Sequence, residues 1–459
     1  MNEHIFREYD IRGIVGKDLT DEAVSTLGRA IGTFFRANGA RKASLGWDAR
    51  ESSPRFRDLI ARGLNASGCD VLDIGMVPTP MLYFSLFTED VDSGIMITGS
   101  HNPADYNGFK ICLGKSTIYG SQIAEIKEIA LSGKFATGSG ERRERDISNA
   151  YREHIASNIK MGERRIKVVI DAGNGMGGMI AAPLYRQLGC DVVELYCEPD
   201  SRFPNHHPDP TVVENMTDAI AAVAKHRADL CIAFDGDADR IGVVDEKGEL
   251  IWGDQLMVIF ARAILSEQKG ATFIAEVKCS QSLVDDIRKH GGNAIIWKVG
   301  HAIIKAKMKE TNAALAGEMS GHIFFADRYF GYDDAAYAGA RLLEILSRTG
   351  GSVSGLLEGL PKTVSTPEIR FDCPDDLKFD IVRRLTEGFK QTHEVIDIDG
   401  ARIIFPHGWG LVRASNTQPV LVMRFEAETE DDLSDIRSQV EARLSEFVTP
   451  RAGEQQERS

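Results

Sequence analysis

Residues Gly94-Ile95-Met96-Ile97-Thr98-Gly99-Ser100-His101-Asn102-Pro103 decide how the rest of the chain is read. The run Ile95-Met96-Ile97 has the apolar character of a buried strand end. Gly99, Asn102 and Pro103 then stop the strand and build a turn. Ser100 is expected at the exposed tip of that turn, its hydroxyl presented by a stiff strand. Taken alone, the peptide reads as an ordinary Ser-Asn-Pro surface turn, because short motifs often match by accident. Its meaning depends on what surrounds it.

Outward from this stretch, helix and strand alternate. Thr20–Ala37 has helical spacing of apolar residues, with Asp21 and Glu22 in the first turn. Ala43–Asp48 reads as a short strand running into the polar loop Asp48–Ser53, followed by a helix over Pro54–Asn65. Val71–Gly75 is a strand and Met81–Phe87 a helix. Strands separated by helices imply a mostly parallel sheet covered on both faces. Catalytic loops then lie at the carboxyl ends of strands, where Asp48 and Ser100 fall. Ser132–Asp146 is polar and charged and reads as a linker.

The pattern recurs twice. Arg165–Asp171, Asp191–Leu195, Asp229–Phe234 and Ile241–Asp245 are expected strands of a second block. In a third, helices Gln255–Leu265, Ser282–His290 and His301–Lys309 alternate with strands Ala271–Val277 and Asn293–Lys298. Beyond about Lys362, several strands and two helices, Asp375–Phe389 and Asp431–Phe447, suggest an α+β module with an antiparallel sheet. The expected division is three α/β domains over 1–145, 146–252 and 253–362, an α+β domain over 363–450 and a disordered tail over 451–459.

Composition narrows the function. With 459 residues, 43% hydrophobic and 27% charged, the chain fits a globular protein of several domains. A net charge of −14 argues against a general nucleic-acid or anionic-membrane binder, but not against a small anion held by a local basic cluster. The amino-terminal Met1-Asn2-Glu3-His4 carries acid and no apolar run, unlike a signal peptide. No apolar stretch approaches the roughly 20 residues of a membrane span. Seven cysteines without a C-x-x-C pair read as free thiols, and a cytoplasmic protein is expected.

Four local patterns carry chemistry. In Asp235-Gly236-Asp237-Ala238-Asp239-Arg240, alternate residues of an extended segment would aim three carboxylates at one point. Such carboxylates repel, and a hard divalent cation such as Mg²⁺ resolves the repulsion, with Arg240 free to meet a phosphate. An EF-hand is the weaker reading, since Arg240 stands where glycine is required and the flanks are apolar strands. An aspartyl nucleophile at Asp235 and a purely structural acidic turn stay open. Gly173-Asn174-Gly175-Met176-Gly177-Gly178 satisfies G-x-G-x-x-G, with Glu194 further on, so a dinucleotide site and a tight strand-to-helix turn both fit. Gly317-Glu318-Met319-Ser320-Gly321-His322 offers an acceptor and a donor suited to sugar hydroxyls, with a histidine able to move protons. Arg413-Ala414-Ser415-Asn416-Thr417-Gln418-Pro419 has the makings of a phosphate cradle or of a plain hairpin loop. Arg12, Lys110, Lys278 and His301 add scattered local positive charge.

The ordered set Thr98–Pro103, Asp235–Arg240, Gly317–His322 and Arg413–Thr417, one per expected domain, strongly resembles the α-D-phosphohexomutase superfamily in its bacterial phosphomannomutase/phosphoglucomutase branch. Tyr9–Gly13 and Phe203–Pro208 match as well. The resemblance implies three α/β domains and an α+β domain around one central cleft. It implies a phosphoserine at Ser100 and Mg²⁺ on Asp235, Asp237, Asp239 and the phosphoserine oxygen. Arg12, Lys110 and Arg240 would stabilise the transferring phosphoryl group, with Lys110 a candidate acid/base. Tyr9, His101, Lys278, His301 and His322 would face substrate, and His322 would be catalytic. Glu318 and Ser320 would read hydroxyls, and Arg413, Ser415, Asn416 and Thr417 would hold the phosphate that does not react. The implied reaction interconverts mannose or glucose 1-phosphate and 6-phosphate through a 1,6-bisphosphate, with glucose 1,6-bisphosphate as activator, in a monomer or weak dimer. Phosphoglucosamine mutase and a non-catalytic sugar-phosphate sensor are the alternatives, the former disfavoured by Met319 where that branch usually has Gln. Gly99 and Ala238 stand where many relatives have Ala and Gly, and neither supplies a functional side chain.

Overall fold

Thr20 starts the first long helix by accepting the Ala23 N–H on its Oγ1, and Asp21 and Glu22 complement the helix dipole. The structure, a computed structural model, describes residues 1–415 and 419–447. Its first sheet contains β1 (Ile11–Ile14), β2 (Lys42–Trp47), β3 (Asp70–Met76), β4 (Ser93–Ile97), β5 (Tyr106–Leu113), β6 (Ser116–Thr117) and β7 (Arg142–Glu144). The order is β1-β5-β4-β2-β3-β7, with β6 on β5. β2 runs parallel to β3 and β4, whereas β5 is antiparallel to β4 and β1. Helices α1 (Asp21–Ala37), α2 (Ser53–Ala66) and α3 (Thr79–Thr88) accompany this sheet.

Two elements here depart from the sequence reading. The segment expected as a linker, Ser132–Asp146, contributes β7, which pairs in parallel with β3. It is short, polar and partly exposed, so it carries no apolar alternation to reveal it. β5 was equally hidden: all but its two end residues are buried, but Asn107, Gly108 and Lys110 interrupt its apolar pattern.

The second sheet has the order Leu250–Ile251, Ile241–Asp245, Leu230–Phe234, Lys167–Asp171, Asp191–Leu195. A third places Asn293–Trp297, Thr272–Glu276, Leu315–Gly317 and Ile323–Phe325 side by side. The helix Ala335–Thr349 was not expected; most of its residues are buried, including the charged Arg341 and Glu344, so its burial exceeds what its composition suggests. Mixed sheets covered by helices thus recur three times.

The chain divides into two compact units, Met1–Ala275 with Asp286–Ile295 and Gly300–Glu358, and Glu276–Asp285 with Ile296–Val299 and the chain from Gly359 onward. In the second unit, strands Val364–Ser365, Val420–Ala427, Gly408–Ala414, Ala401–Phe405 and Glu394–Ile396 form an antiparallel sheet, with Ile369–Asp372 also on Val420–Ala427. Asp375–Phe389 and Glu430–Ser445 pack on it around Leu385, Ile403, Leu421 and Val440. Trp409 is buried under the Arg402 guanidinium, 3.9 Å from its ring centre, and Arg402 donates to the carbonyls of Val277 and Cys279 at 2.8 Å. The expected tail and the expected ligands Asn416 and Thr417 lie outside the described residues.

Contact between α1 and α2 depends on glycine. A Cβ on Gly63 would lie 2.5 Å from the Gly28 carbonyl carbon and 2.7 Å from the Arg29 nitrogen, both backbone atoms. Gly63→Ala should therefore cost on the order of 1–3 kcal/mol. Calorimetry should show the first unfolding transition at lower temperature; an unshifted transition would contradict this packing.

Candidate active site

β4 delivers Ser100 half-buried, not at the exposed tip of a turn, because its loop packs on the acidic turn: a Cβ on Gly236 would lie 2.4 Å from the Ser100 carbonyl oxygen. The Ser100 N–H donates to Thr98 Oγ1 at 2.8 Å, and the residue takes a left-handed φ of 48°. Its Oγ donates to Asp235 Oδ2 at 2.9 Å and lies 3.1 Å from His101 Nδ1.

Asp235, Asp237 and Asp239 do converge, but not by strand alternation. The strand Leu230–Phe234 ends before them, and the acidic residues form a turn in which Ala238 adopts φ 58°. Asp235 Oδ1 organises that turn by accepting the Asp239 and Arg240 N–H groups, each at 3.1 Å. The flanking strands leave no helices for an EF-hand. All three side chains are 0% exposed and each offers an oxygen within 4.8 Å of the others. Oδ1 of Asp237 and Oδ1 of Asp239 are buried without a hydrogen-bond partner. Buried, unsatisfied carboxylate oxygens converging on one point are the donor set a hard divalent cation takes, so the residues fit Mg²⁺.

Lys110 supplies the built-in countercharge. β5 points its Nζ at Asp237 Oδ2, 2.7 Å away, and at Asp239 Oδ2. Burial opposes the ammonium charge, yet Asp237 and Asp239 outweigh it and hold Lys110 above the usual lysine range. Burial and its two acidic neighbours push the Asp235 carboxyl well up. For Asp237 burial acts the same way, but Lys110 overrides it and holds the carboxylate ionised. Thr79, at the start of α3, hydrogen-bonds Asp237 through its hydroxyl and donates its N–H to the Asp237 carbonyl at 2.9 Å.

A second chain of contacts runs from Arg240. Its Nε donates to His322 Nε2 at 3.0 Å, while His322 Nδ1 lies 3.0 Å from Asp333 Oδ2 and 3.5 Å from Asp239 Oδ1. Accepting on Nε2 places the His322 proton on Nδ1, facing the carboxylates. Lys305 pairs with the other Asp333 oxygen at 3.1 Å. His301 stacks on His322 at 5.9 Å, and burial, reinforced by Lys305, keeps it neutral. Burial, then Arg240 and Arg12, does the same for His101. Tyr9 meets His301 edge-on at 6.3 Å, and Arg12 is gripped by Asp10. Arg12, Ser100, His101, Lys110, Arg240, His301 and His322 line one pocket. Glu318 accepts the Gly300 N–H at 2.7 Å on one oxygen and the Ser320 hydroxyl at 3.1 Å on the other.

The second unit holds the remaining predicted residues. Lys278 pairs with Glu368 at 3.2 Å. Arg413 pairs with Asp399 at 3.0 Å, and the Ser415 carbonyl accepts from Lys378 at 2.5 Å. The Gly173–Gly178 loop closes on the protein itself: Asn174 donates its N–H to Tyr196 O at 2.8 Å, and His206 lies 3.1 Å from Asp171, which makes it a strand-to-helix connection. Asp333, Lys305 and Thr79 escaped the sequence reading. Pro78-Thr79-Pro80 ahead of an apolar run marked a helix start, but nothing local marked its acidic partner over 150 residues away.

Comparison with known proteins covers nearly the whole chain. Residues 3–137, 149–248 and 252–364 match the phosphoglucomutase/phosphomannomutase alpha/beta/alpha domains I, II and III, and residues 368–443 match the C-terminal domain. The phosphomannomutase/phosphoglucomutase of Pseudomonas aeruginosa is 47% identical over 435 residues, covering 95% of this chain and 94% of that protein. A phosphoglucomutase of Neisseria gonorrhoeae is 48% identical over 443 residues, covering 95% and 96%. The crystal structure of a Burkholderia thailandensis phosphoglucomutase/phosphomannomutase family protein superposes with a TM-score of 0.92 at 44% identity, covering 97% of this chain and 98% of that one.

Asp237→Ala should weaken Mg²⁺ binding at least about tenfold, because it removes one of three converging charges. Titration calorimetry with Mg²⁺ alone measures this, and an unchanged dissociation constant would contradict the metal assignment.

Proposed function

The chain belongs to the phosphoglucomutase/phosphomannomutase family and is a hexose-phosphate mutase; from that premise we propose that Ser100 carries the phosphoryl group it transfers. The observation that supports this most is the Ser100 hydroxyl bonded to Asp235 beside two further buried carboxylates and three cationic side chains, Arg12, Lys110 and Arg240. The substrates are mannose and glucose phosphates. As phospho-Ser100 meets a hexose 1-phosphate, the Oγ–P bond breaks and a P–O bond forms to the free 6-hydroxyl. That hydroxyl gives up one proton and Ser100 Oγ takes one, so the step balances. The resulting 1,6-bisphosphate turns around and returns its other phosphoryl group to Ser100, leaving the 6-phosphate. Added glucose 1,6-bisphosphate reloads Ser100 and so activates the enzyme.

Phosphoryl transfer needs positioning and charge neutralisation more than covalent help. Asp235, Asp237, Asp239 and the phosphoserine oxygen are the groups that would hold Mg²⁺, which when bound neutralises phosphoryl oxygens. Arg12, Lys110 and Arg240 supply protein cations to the same charge. Lys110, held protonated between two carboxylates, suits charge stabilisation better than proton transfer. His322, oriented by Asp333 and Arg240, is the better proton carrier. Tyr9, His101, Lys278 and His301 face the substrate, Glu318 and Ser320 read hydroxyls, and Arg413, Ser415, Asn416 and Thr417 take the phosphate that does not react. Recognition by phosphate and shared hydroxyls leaves the C2 configuration loosely read.

Among the described residues no helix is long and apolar enough to cross a membrane. Seven free cysteines, six of them buried, fit a reducing cytoplasm. A monomer or weak dimer, with no nucleic-acid or membrane partner, fits the acidic surface. The domain limits 1–145, 146–252, 253–362 and 363–450 carry the serine, metal, sugar and phosphate loops respectively.

Ser100→Ala should keep its fold and lose on the order of 10³-fold or more in turnover of glucose 1-phosphate. Wild-type turnover in that variant would sink the mechanism. In parallel assays mannose and glucose 1-phosphates should react at rates within about tenfold of each other and glucosamine 1-phosphate more slowly. The reverse ranking would favour a phosphoglucosamine mutase, and ligand binding without interconversion a sensor.

A further inference from the structure

Arg50 touches no group assigned above to substrate, yet it is built into the serine loop. It follows β2, and only 2% of its surface is exposed. Nη2 donates to the carbonyls of Ser100 at 2.9 Å and Asn102 at 2.6 Å; Nη1 donates to those of Pro103 at 2.5 Å and Tyr106 at 2.8 Å. Four carbonyls of one short loop therefore converge on a single cation. Asp48 fixes that cation from the other side. Its Oδ1 accepts the Arg50 N–H at 3.0 Å and the Ser53 hydroxyl at 2.6 Å, while Oδ2 accepts the Gly99 N–H at 3.1 Å and lies 3.3 Å from Arg50 Nε. The Phe203 ring covers the guanidinium at 5.4 Å. Gly99 makes room: a Cβ there would come within 2.4 Å of Arg50 Cζ.

This arrangement bears on a strained residue. Ser100 is not glycine, yet it holds φ 48°, a conformation that persists only where surroundings impose it. A planar fork of N–H donors can hold several carbonyls in fixed directions, whereas a lysine ammonium is a compact point charge with three donors. Serving both halves of a mutase cycle also demands that Oγ stay in place while its bond to phosphorus is broken and remade.

We propose that Arg50 is the positioning residue for Ser100: by gripping the carbonyls of Ser100, Asn102, Pro103 and Tyr106 it holds the serine loop in the one shape that aims Oγ at Asp235. The proposal rests on the mutase reading. It makes Arg50 indispensable to phosphoryl transfer without contact with the sugar or with Mg²⁺.

The test compares full-length wild type with Arg50→Lys and Arg50→Ala, each checked for fold by circular dichroism and calorimetry. Hydrogen exchange of the amides between Gly99 and Asn107 reads the loop independently of activity. It should rise at least about tenfold in both variants, confined to that loop. With glucose 1-phosphate, kcat should fall about 100-fold in Arg50→Lys while KM stays within about threefold, the split expected when alignment and not substrate binding is lost. Millimolar guanidinium ion, but not methylammonium, should restore part of the kcat of Arg50→Ala. Arg50→Lys with wild-type kcat and loop exchange would overturn the role. So would exchange rising throughout the first sheet with kcat and KM failing together, which marks general destabilisation. Wild-type protein without turnover would instead overturn the mutase reading itself, an outcome separable from the other two.

Discussion

Three carboxylates buried at one point are the constraint to which the rest of the first unit answers. Asp235, Asp237 and Asp239 are each 0% exposed, and such a cluster is tolerable only if cations and donors surround it. The chain provides them from far away in sequence. Lys110 comes from β5, Thr79 from the start of α3, His322 and Asp333 from the third sheet's region. Because each partner sits on a different element, satisfying the acidic turn also fixes how those elements meet. The demands of the acidic turn and the packing of the three α/β sheets are one problem with one solution.

The same interactions explain why the site can handle phosphate in an acidic protein. Net charge is −14, but the pocket at Ser100 is lined by Arg12, Lys110 and Arg240 beside two neutral histidines, His101 and His301. Each guanidinium or ammonium is held by a carboxylate or histidine of the protein, so its position does not depend on substrate. Preorganised charge of this kind costs little reorganisation when a phosphoryl group passes between them.

Much of this was legible in the sequence. Helix α1 and the helix Asp375–Phe389 fall within a residue of their expected limits, because a capping threonine marks one and a proline precedes the other. Three of the four motifs lay at the ends of expected strands, whereas Leu315–Gly317, the strand ahead of Glu318, has only three residues and was not expected. The other failures have physical causes. β5 is buried nearly all round and β7 is a polar edge, so neither carries the one-sided pattern that periodicity detects; the helix Ala335–Thr349 buries even Arg341 and Glu344, which read as surface charges. The acidic residues were expected on an extended segment and converge through a turn with Ala238 at φ 58°, a geometry that composition does not encode. Arg50 read as one charge in a polar loop, since its four carbonyl partners become neighbours only when β2, β4 and β5 align.

The central claim is that the phosphoryl group resides on Ser100 and moves from there to sugar. Protein labelled with radioactive phosphate on Ser100, mixed with a few equivalents of unlabelled glucose 1-phosphate and Mg²⁺, measures this within the first turnovers. The account predicts that label leaves the protein and appears in hexose bisphosphate and then in glucose 6-phosphate. Label that remains on Ser100 while glucose 6-phosphate accumulates would contradict it.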